Sequence, residues 1–171
     1  DRLMANAKVP ADADAAQLFL VLGLDQYDAQ TDGRDLPGLD EATSTGLVWV
    51  YTKASGLVPI EVPQAIFGDV LAMKSAKAAL DLDDSLDQAL SLWLTANLRR
   101  ENNLPQGETD PSYSSQMKSP LWYATVAGPI RQTDILATAL TSGDADLALD
   151  AIEALSRSAG TATLTSSSGP L

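Results

Sequence analysis

The sequence contains no cysteine and no histidine among its 171 residues. Without cysteine there are no disulfides and no thiolate nucleophiles, and without histidine there is no Ser-His-Asp triad. The common tetrahedral zinc sites, which are built from these two residue types, are excluded as well. Acid–base chemistry would have to rely on carboxylates, so the composition favours a protein with no catalytic residues and no cofactor.

Positive charge is scarce. The chain has 11 basic and 23 acidic residues, a formal net charge of −12, and its one adjacent basic pair, Arg99-Arg100, is followed at once by Glu101. A nucleic-acid partner usually requires a basic stripe that neutralises phosphates, so nucleic acid and anionic membrane surfaces are poor partners. Protein partners, or other copies of the chain, are the expected ones.

Long apolar runs are also missing, since none approaches the roughly 20 residues of a membrane span. We therefore expect no membrane insertion. The lack of cysteine is compatible with an extracytoplasmic location in the cell envelope and with the cytoplasm, so the compartment stays open.

What the sequence does contain is alanine and leucine, which favour helices. Two stretches have apolar residues at helical spacing, and they predict antiparallel helix pairs at about 64–101 and 121–160. Residues 12–24 are predicted to form a short buried helix behind acidic residues, and residues 25–40 and 102–119 to form connections. The run Leu47–Thr52 is β-branched and aromatic enough for a strand, but it is interpreted here as helix because no matching partner strand lies nearby.

The segment Ala148–Gly160 resembles the second helix of a HEAT repeat, in which small and aliphatic residues pack against neighbouring repeats. A wider run over roughly 47–160, most distinctive between Trp93 and Tyr113, is similar to the helical region of large bacterial HEAT-repeat proteins. The resemblance implies an all-α fold of stacked antiparallel hairpins, an α-solenoid segment over residues 1–160 with a linker or tail at 161–171. It implies no catalytic residues.

One string has a partial match to a calcium-binding loop. Asp28, Gln30 and Asp32 offer oxygen ligands at alternate positions, and Gly33 follows where such a loop turns sharply. The twelfth position is Leu39, where a calcium loop needs a glutamate that binds through both oxygens. An Asp-Gly turn between helices is therefore the favoured interpretation, with Ca²⁺ as the alternative.

Aromatic residues near the second connection are candidates for partner contact, because tyrosine and tryptophan anchor many interfaces. The candidates are Tyr113, Met117, Trp122 and Tyr123, although a core role is the favoured interpretation of Trp122. Trp49 and Trp93 lie within apolar runs and are assigned to the core.

The sequence thus predicts a non-catalytic structural or scaffolding module that mediates protein–protein interaction within a larger repeat protein. A self-assembling structural subunit is the first alternative. A ligand-binding domain or enzyme based on carboxylates alone is a less favoured one, because nearly every acid lies on a predicted helix start, a polar face or a loop.

Overall fold

The computed structural model describes residues 13–40 and 42–166, with the side chains of 161–166 left aside. These residues form six helices and one antiparallel sheet, so the prediction of an all-α solenoid is wrong and the fold is mixed. In chain order the elements are α1 Ala15–Asp32, β1 Leu39–Asp40, β2 Thr45–Thr52, β3 Gly56–Pro63, α2 Gln64–Leu82, α3 Asp87–Asn103, α4 Pro120–Val126, α5 Pro129–Ser142 and α6 Ala145–Ser166.

The chain divides into two compact units, one up to Ser114 and one from Ser115. The first contains the sheet and the helices α1 to α3, and the second contains α4 to α6. The two predicted helix pairs, which were expected in one domain over 1–160, therefore lie in different units. None of the described helices is long and apolar enough to cross a membrane.

The sheet corrects the helical interpretation of residues 47–52. Its strand order is β1-β2-β3, and β2 pairs with β3 from Thr45 opposite Pro63 to Thr52 opposite Gly56. The partner strand was missed because Gly56–Pro63 contains two prolines and resembles a connection. Once β2 and β3 pair, the β-branched residues of both strands pack well on the pleated surface, and this tertiary gain outweighs the weak local signal.

The sheet packs on α2 through one aromatic contact that depends on glycine. Phe67 of α2 lies so close to Gly46 of β2 that an added Cβ at residue 46 would stand 2.2–2.5 Å from three atoms of the ring. Gly38 lies beside the same ring, with a left-handed φ of 96°. Phe67 is 1% exposed and belongs to the core between sheet and helix, together with Val48, Val62, Ile66 and Val70.

Helix α1 is longer than the sequence predicted, and it occupies residues 25–32, which were expected to be a connection. Its start agrees with the prediction of an acid-headed helix, because Asp14 accepts a hydrogen bond from the N–H of Gln17 in a capping box. Its end is set by Gly33 in the left-handed region, φ 64°, a standard helix C-terminus. The Asp-Gly pair is thus a helix cap.

Glycines also let α1 and α2 approach closely. An added Cβ at Gly68 would come within 2.6–2.8 Å of Gln26 and Gln30, so any side chain there would push α1 away. At this crossing the Gln30 side chain accepts a hydrogen bond from the N–H of Gly68 at 2.7 Å and donates one to the carbonyl of Ala65 at 3.0 Å. Close packing and these hydrogen bonds fix the two helices together.

The second unit consists of the short α4 and the hairpin of α5 and α6. Ser119 caps α4, with Pro120 at its first position, and Gly143 ends α5 in the left-handed region at φ 71°. Asp144 then accepts a hydrogen bond from the N–H of Leu147 at 3.0 Å, as expected for an acid at a helix start. The predicted tail is corrected in part, because α6 continues to Ser166, while residues 167–171 lie outside the described residues.

Candidate functional site

The outer surface of the β2–β3 hairpin carries a row of exposed apolar side chains. Trp49 is 54% exposed, Tyr51 72% and Leu57 67%. The strand register places Pro59 opposite Trp49 and Leu57 opposite Tyr51, so the row is continuous across both strands. We call this surface the apolar face, and it consists of Leu47, Trp49, Tyr51, Leu57 and Pro59.

The other side of the same hairpin is packed against α2. Val48 and Val62 are 1% and 0% exposed, and they alternate along their strands with residues of the apolar face. Successive side chains of a strand point to opposite faces, so burial of the valines obliges their neighbours to point outward. The apolar face is therefore held on a fixed backbone by the core behind it.

The outer edge of β3 is blocked by proline. In an antiparallel pair, hydrogen-bonded and non-hydrogen-bonded residue pairs alternate, and proline cannot donate to a partner strand. Pro59 therefore belongs to a non-hydrogen-bonded pair with Trp49, and its nitrogen faces the outer edge. Pro63, four residues on, occupies an equivalent position. An incoming strand would thus find no N–H at two of the outward positions of β3.

The opposite edge of the sheet is closed differently. The N–H of Leu47 donates to the carbonyl of Gly38 at 2.9 Å, just before the two-residue strand β1. Further along β2, Nζ of Lys74 donates to the carbonyl oxygen of Trp49. Burial lowers the pKa of Lys74 from its ordinary value. Lysine on an edge is a common device that discourages strand pairing.

One acidic residue lies on the outer surface of the hairpin. Glu61 is exposed on β3, opposite Leu47, and its side chain shares the face because it lies two residues from Pro59. Residues 1–114 carry 18 acidic and 8 basic side chains, whereas residues 115–171 carry 5 and 3. Most of the excess negative charge of the chain therefore belongs to the unit that presents this face.

Two buried arginines form the most polar part of the interior of the first unit. Arg99 lies over the ring of Tyr27, 3.3 Å from its centroid, and its guanidinium donates to Asp69 and to the carbonyl of Tyr27, both at 2.7 Å. It also donates to the hydroxyl of Thr31. Because Arg99 joins residues of α1, α2 and α3, its role is to hold these helices together.

Arg100 holds the connection after α3 in the same way. Its Nη1 donates to Asp110 Oδ2 at 3.1 Å, and its guanidinium lies 3.9 Å from the centre of the Tyr113 ring. Asp110 also accepts hydrogen bonds from the N–H and the hydroxyl of Ser112 at 2.8 and 2.5 Å. The sequence shows Arg99 and Arg100 as an adjacent basic pair, but their partners could not be identified without the tertiary fold.

The arrangement of acids does not resemble a catalytic carboxylate pair. Asp69 and Asp110 are the buried acids among the described residues, and each is bound to a different arginine. The buried acids therefore serve the packing of the first unit.

The calcium candidates are placed on a helix and not in a loop. Asp28, Gln30 and Asp32 belong to the last turns of α1, and the amide of Gln30 is bound to the backbone of α2. Partial burial raises the pKa of Asp28, and the charge of Asp32 raises it further. Within residues 13–40 and 42–166, no group of three or more acidic side chains converges in a way that could hold a metal ion.

The predicted contact residues belong to different units of the chain. Tyr113 belongs to the first unit and packs beside Arg100 against the core, with its hydroxyl accepting from Asn97 Nδ2 at 3.3 Å. Met117, Trp122 and Tyr123 belong to the second unit, where Trp122 is 46% exposed and meets Tyr123 edge to face at 5.2 Å. Trp93 packs against the core as predicted, but the assignment of Trp49 to the core was wrong.

Comparisons with family models, with curated proteins and with solved structures gave no match to this chain. The resemblance to HEAT-repeat proteins therefore stays a prediction, and the function has to be inferred from the geometry described above.

Proposed function

We propose that this protein is a non-catalytic interaction module that binds a protein partner through the apolar face of its β2–β3 hairpin. One observation carries the proposal: Trp49, Tyr51 and Leu57 are more than half exposed on a hairpin whose other side packs against the core. Scattered apolar residues on a surface are ordinary, but a continuous apolar patch rimmed by polar residues is typical of interaction sites.

The side chains of the face are those that provide binding energy in many complexes. Tryptophan and tyrosine are enriched among the residues whose truncation costs most at an interface. Their rings offer a large contact area with few rotatable bonds, so little conformational entropy is lost on binding. Trp49 and Tyr51 lie two residues apart on one strand and therefore present both rings to the same partner surface.

The charge of the first unit favours a basic partner. Residues 1–114 carry 18 acids against 8 basic residues, and Glu61 lies on the face itself. A basic partner would be drawn towards this unit by long-range attraction, whereas a second copy of the same face would be repelled. Binding is thus expected to weaken as salt screens the attraction.

The test has two stages. A photo-crosslinking amino acid is placed at Tyr51 or at Leu57, with Asp81, an exposed residue at the end of α2, as the control position. We expect positions 51 and 57, but not 81, to give an adduct with the same protein in the source cells. That protein is then purified and titrated against the wild type and Trp49→Ser, for which we expect a loss of about 30-fold or more.

Two results would overturn the proposal. One is the absence of a specific adduct at both face positions. The other is an unchanged affinity of the purified partner for Trp49→Ser, because a face that contributes to binding cannot lose its largest ring without effect. Circular dichroism of Trp49→Ser shows whether the variant is folded, which is expected because the ring is outside the core.

Self-association through the second unit is a second candidate function. Exposed apolar residues also occur along α5 and α6, where Leu140, Leu149 and Ile152 are 69%, 63% and 52% exposed. This unit carries 3 basic and 5 acidic residues, so charge repulsion between copies would be small. If α6 mediates the contact, Leu149→Lys with Ile152→Lys should convert a dimer to a monomer in sedimentation equilibrium. A wild type that is monomeric at 100-fold different concentrations would exclude this function.

A further inference from the structure

We infer that the apolar face binds a proline-rich, extended segment that carries a basic residue near one end. This inference rests on the proposed function and names the class of partner that the face fits. The three common ways in which a protein captures a peptide are strand addition, a helix in a groove and a polyproline II segment on aromatic side chains. The geometry of the hairpin distinguishes among them.

Strand addition does not suit this sheet. At the β3 edge, Pro59 and Pro63 leave no N–H at two outward positions, and at the other edge Lys74 already donates to the carbonyl of Trp49. An added strand obtains its affinity from a ladder of backbone hydrogen bonds. Such a ladder would be interrupted on both sides, so a ligand has to bind across the face and not along an edge.

An amphipathic helix is also a poor fit, because it needs a groove with apolar walls on both sides. The apolar face is the outer layer of a paired hairpin, and the helix that packs against the hairpin, α2, lies behind it. The side chains of the face project from the pleated surface as a ridge. A narrow, extended chain can lie on such a ridge, with its side chains between the rings.

The polar atoms of the face match the polar atoms of a proline-rich chain. The indole of Trp49 can only donate a hydrogen bond, and the hydroxyl of Tyr51 can donate one as well. A polyproline II chain has no internal hydrogen bonds, so its carbonyl oxygens are available as acceptors, and its prolines bring no N–H that would need a partner. Flat proline rings can also stack on the two aromatic rings at little entropic cost, since the chain is already extended.

Charge defines the orientation of the ligand. Glu61 lies at the end of the face nearest the first residue of α2, whereas Trp49 and Tyr51 lie closer to the tip of the hairpin. A basic residue of the ligand would therefore lie over Glu61 while the prolines cover the rings. An arginine suits this position best, because its planar guanidinium can bind a carboxylate through two hydrogen bonds.

The test uses the full chain and three synthetic peptides of nine residues. The first has prolines at most positions and one terminal arginine, the second replaces the prolines by alanine, and the third replaces the arginine by glutamate. Binding is followed by NMR through the indole N–H signals of the three tryptophans, with that of Trp49 assigned by Trp49→Phe. We expect the first peptide to shift the Trp49 signal and to leave the Trp93 signal unchanged.

The affinity should fall at least tenfold with the alanine peptide and with the glutamate peptide. Glu61→Arg should reverse the preference between the arginine and glutamate peptides, and Asp84→Asn, which changes an exposed acid between α2 and α3, should leave it unchanged. Equal binding of the proline and alanine peptides would overturn the inference, as would a saturating titration that leaves the Trp49 signal in place or a complete lack of binding.

These outcomes can be distinguished from a failure of the proposed function. If the crosslinked partner binds in a manner that depends on Trp49 but the peptides do not bind, the face is an interaction site for a folded protein surface and the ligand class is wrong. If neither the partner nor the peptides depend on Trp49, the proposed function fails as well.

Discussion

Arg99 and Asp69 form an ion pair that is almost completely removed from solvent, with the Nε and Nη2 atoms of the arginine both 2.7 Å from Oδ1 of the aspartate. The side chains are 5% and 0% exposed. The two residues are 30 positions apart and belong to α3 and α2, so the pair joins two helices at the centre of the first unit.

Breaking the pair from one side should be costly. Arg99→Met removes the ion-pair partner of the buried carboxylate of Asp69, and we expect the free energy of unfolding in urea to fall by about 3–5 kcal/mol. The double variant Arg99→Met with Asp69→Leu should recover most of this loss, because an apolar pair of similar volume needs no charge compensation. Lys77→Ala, which removes an exposed pair with Asp81, is the control and should change little. Equal stability of the single and double variants would contradict the buried-pair explanation.

The contact between Phe67 and Gly46 should be intolerant of a single methyl group. Gly46→Ala would place Cβ within 2.5 Å of the ring, and we expect thermal or urea unfolding to show a loss of about 1–3 kcal/mol. In a Phe67→Leu background the same change should cost less, because the smaller side chain vacates the space. Gly160→Ala is a matched control. An added Cβ at residue 160 would meet nothing within 4 Å, and the residue lies in α6, so this change should stabilise the protein by up to about 1 kcal/mol.

Asp28 should make the protein less stable at neutral pH. Burial and the negative charge of Asp32 raise the pKa of Asp28 in the folded state. The charged carboxylate is therefore less favourable in the folded protein than in the unfolded chain, and this lowers stability at pH values above the unfolded-state pKa. Asp28→Asn should therefore raise the melting temperature at pH 7, and the gain should disappear as the pH falls far enough to protonate the wild-type carboxyl.

Asp83 provides the control of opposite sign. Hydrogen bonds from the hydroxyl and the N–H of Ser85 lower the pKa of Asp83, so its charged form stabilises the fold at neutral pH. Asp83→Asn should lower the melting temperature at pH 7, with the difference vanishing once the pH falls below the lowered pKa. A gain for both variants at pH 7 would show that net charge, and not the local surroundings, governs the effect.

The connection after α3 should depend on Asp110. Asp110→Ala removes the partner of Arg100 and the acceptor for Ser112, and we expect a loss of about 3–5 kcal/mol in unfolding free energy. Hydrogen exchange of the Ser112 amide should become much faster than that of amides in the middle of α2. Ser112→Ala keeps the ion pair and should cost only about 1 kcal/mol. Unchanged exchange in Asp110→Ala would mean that other contacts hold this connection.

The sequence was a good guide where local chemistry decides the structure. The acidic start of α1 and the apolar spacing of 64–101 and 121–160 predicted helices that are present. It failed for β2, because Leu47–Thr52 has apolar residues at nearly every position and the period-2 signal is hidden. If Trp49 had been assigned to the outer side of a strand and Val48 to its inner side, both the strand and the apolar face would have been predicted.

By itself, the sequence determined the absence of cysteine and histidine chemistry, the excess of acidic charge and the positions of most helix starts, because composition and capping act over a few residues. The tertiary structure decided that residues 45–63 form a hairpin, that Arg99 and Arg100 are buried with Asp69 and Asp110, and that Trp49 points outward. The two ion pairs join residues 30 and 10 positions apart, and the position of Trp49 depends on which side of its strand meets α2. Their energies arise from contacts that no short stretch of sequence contains.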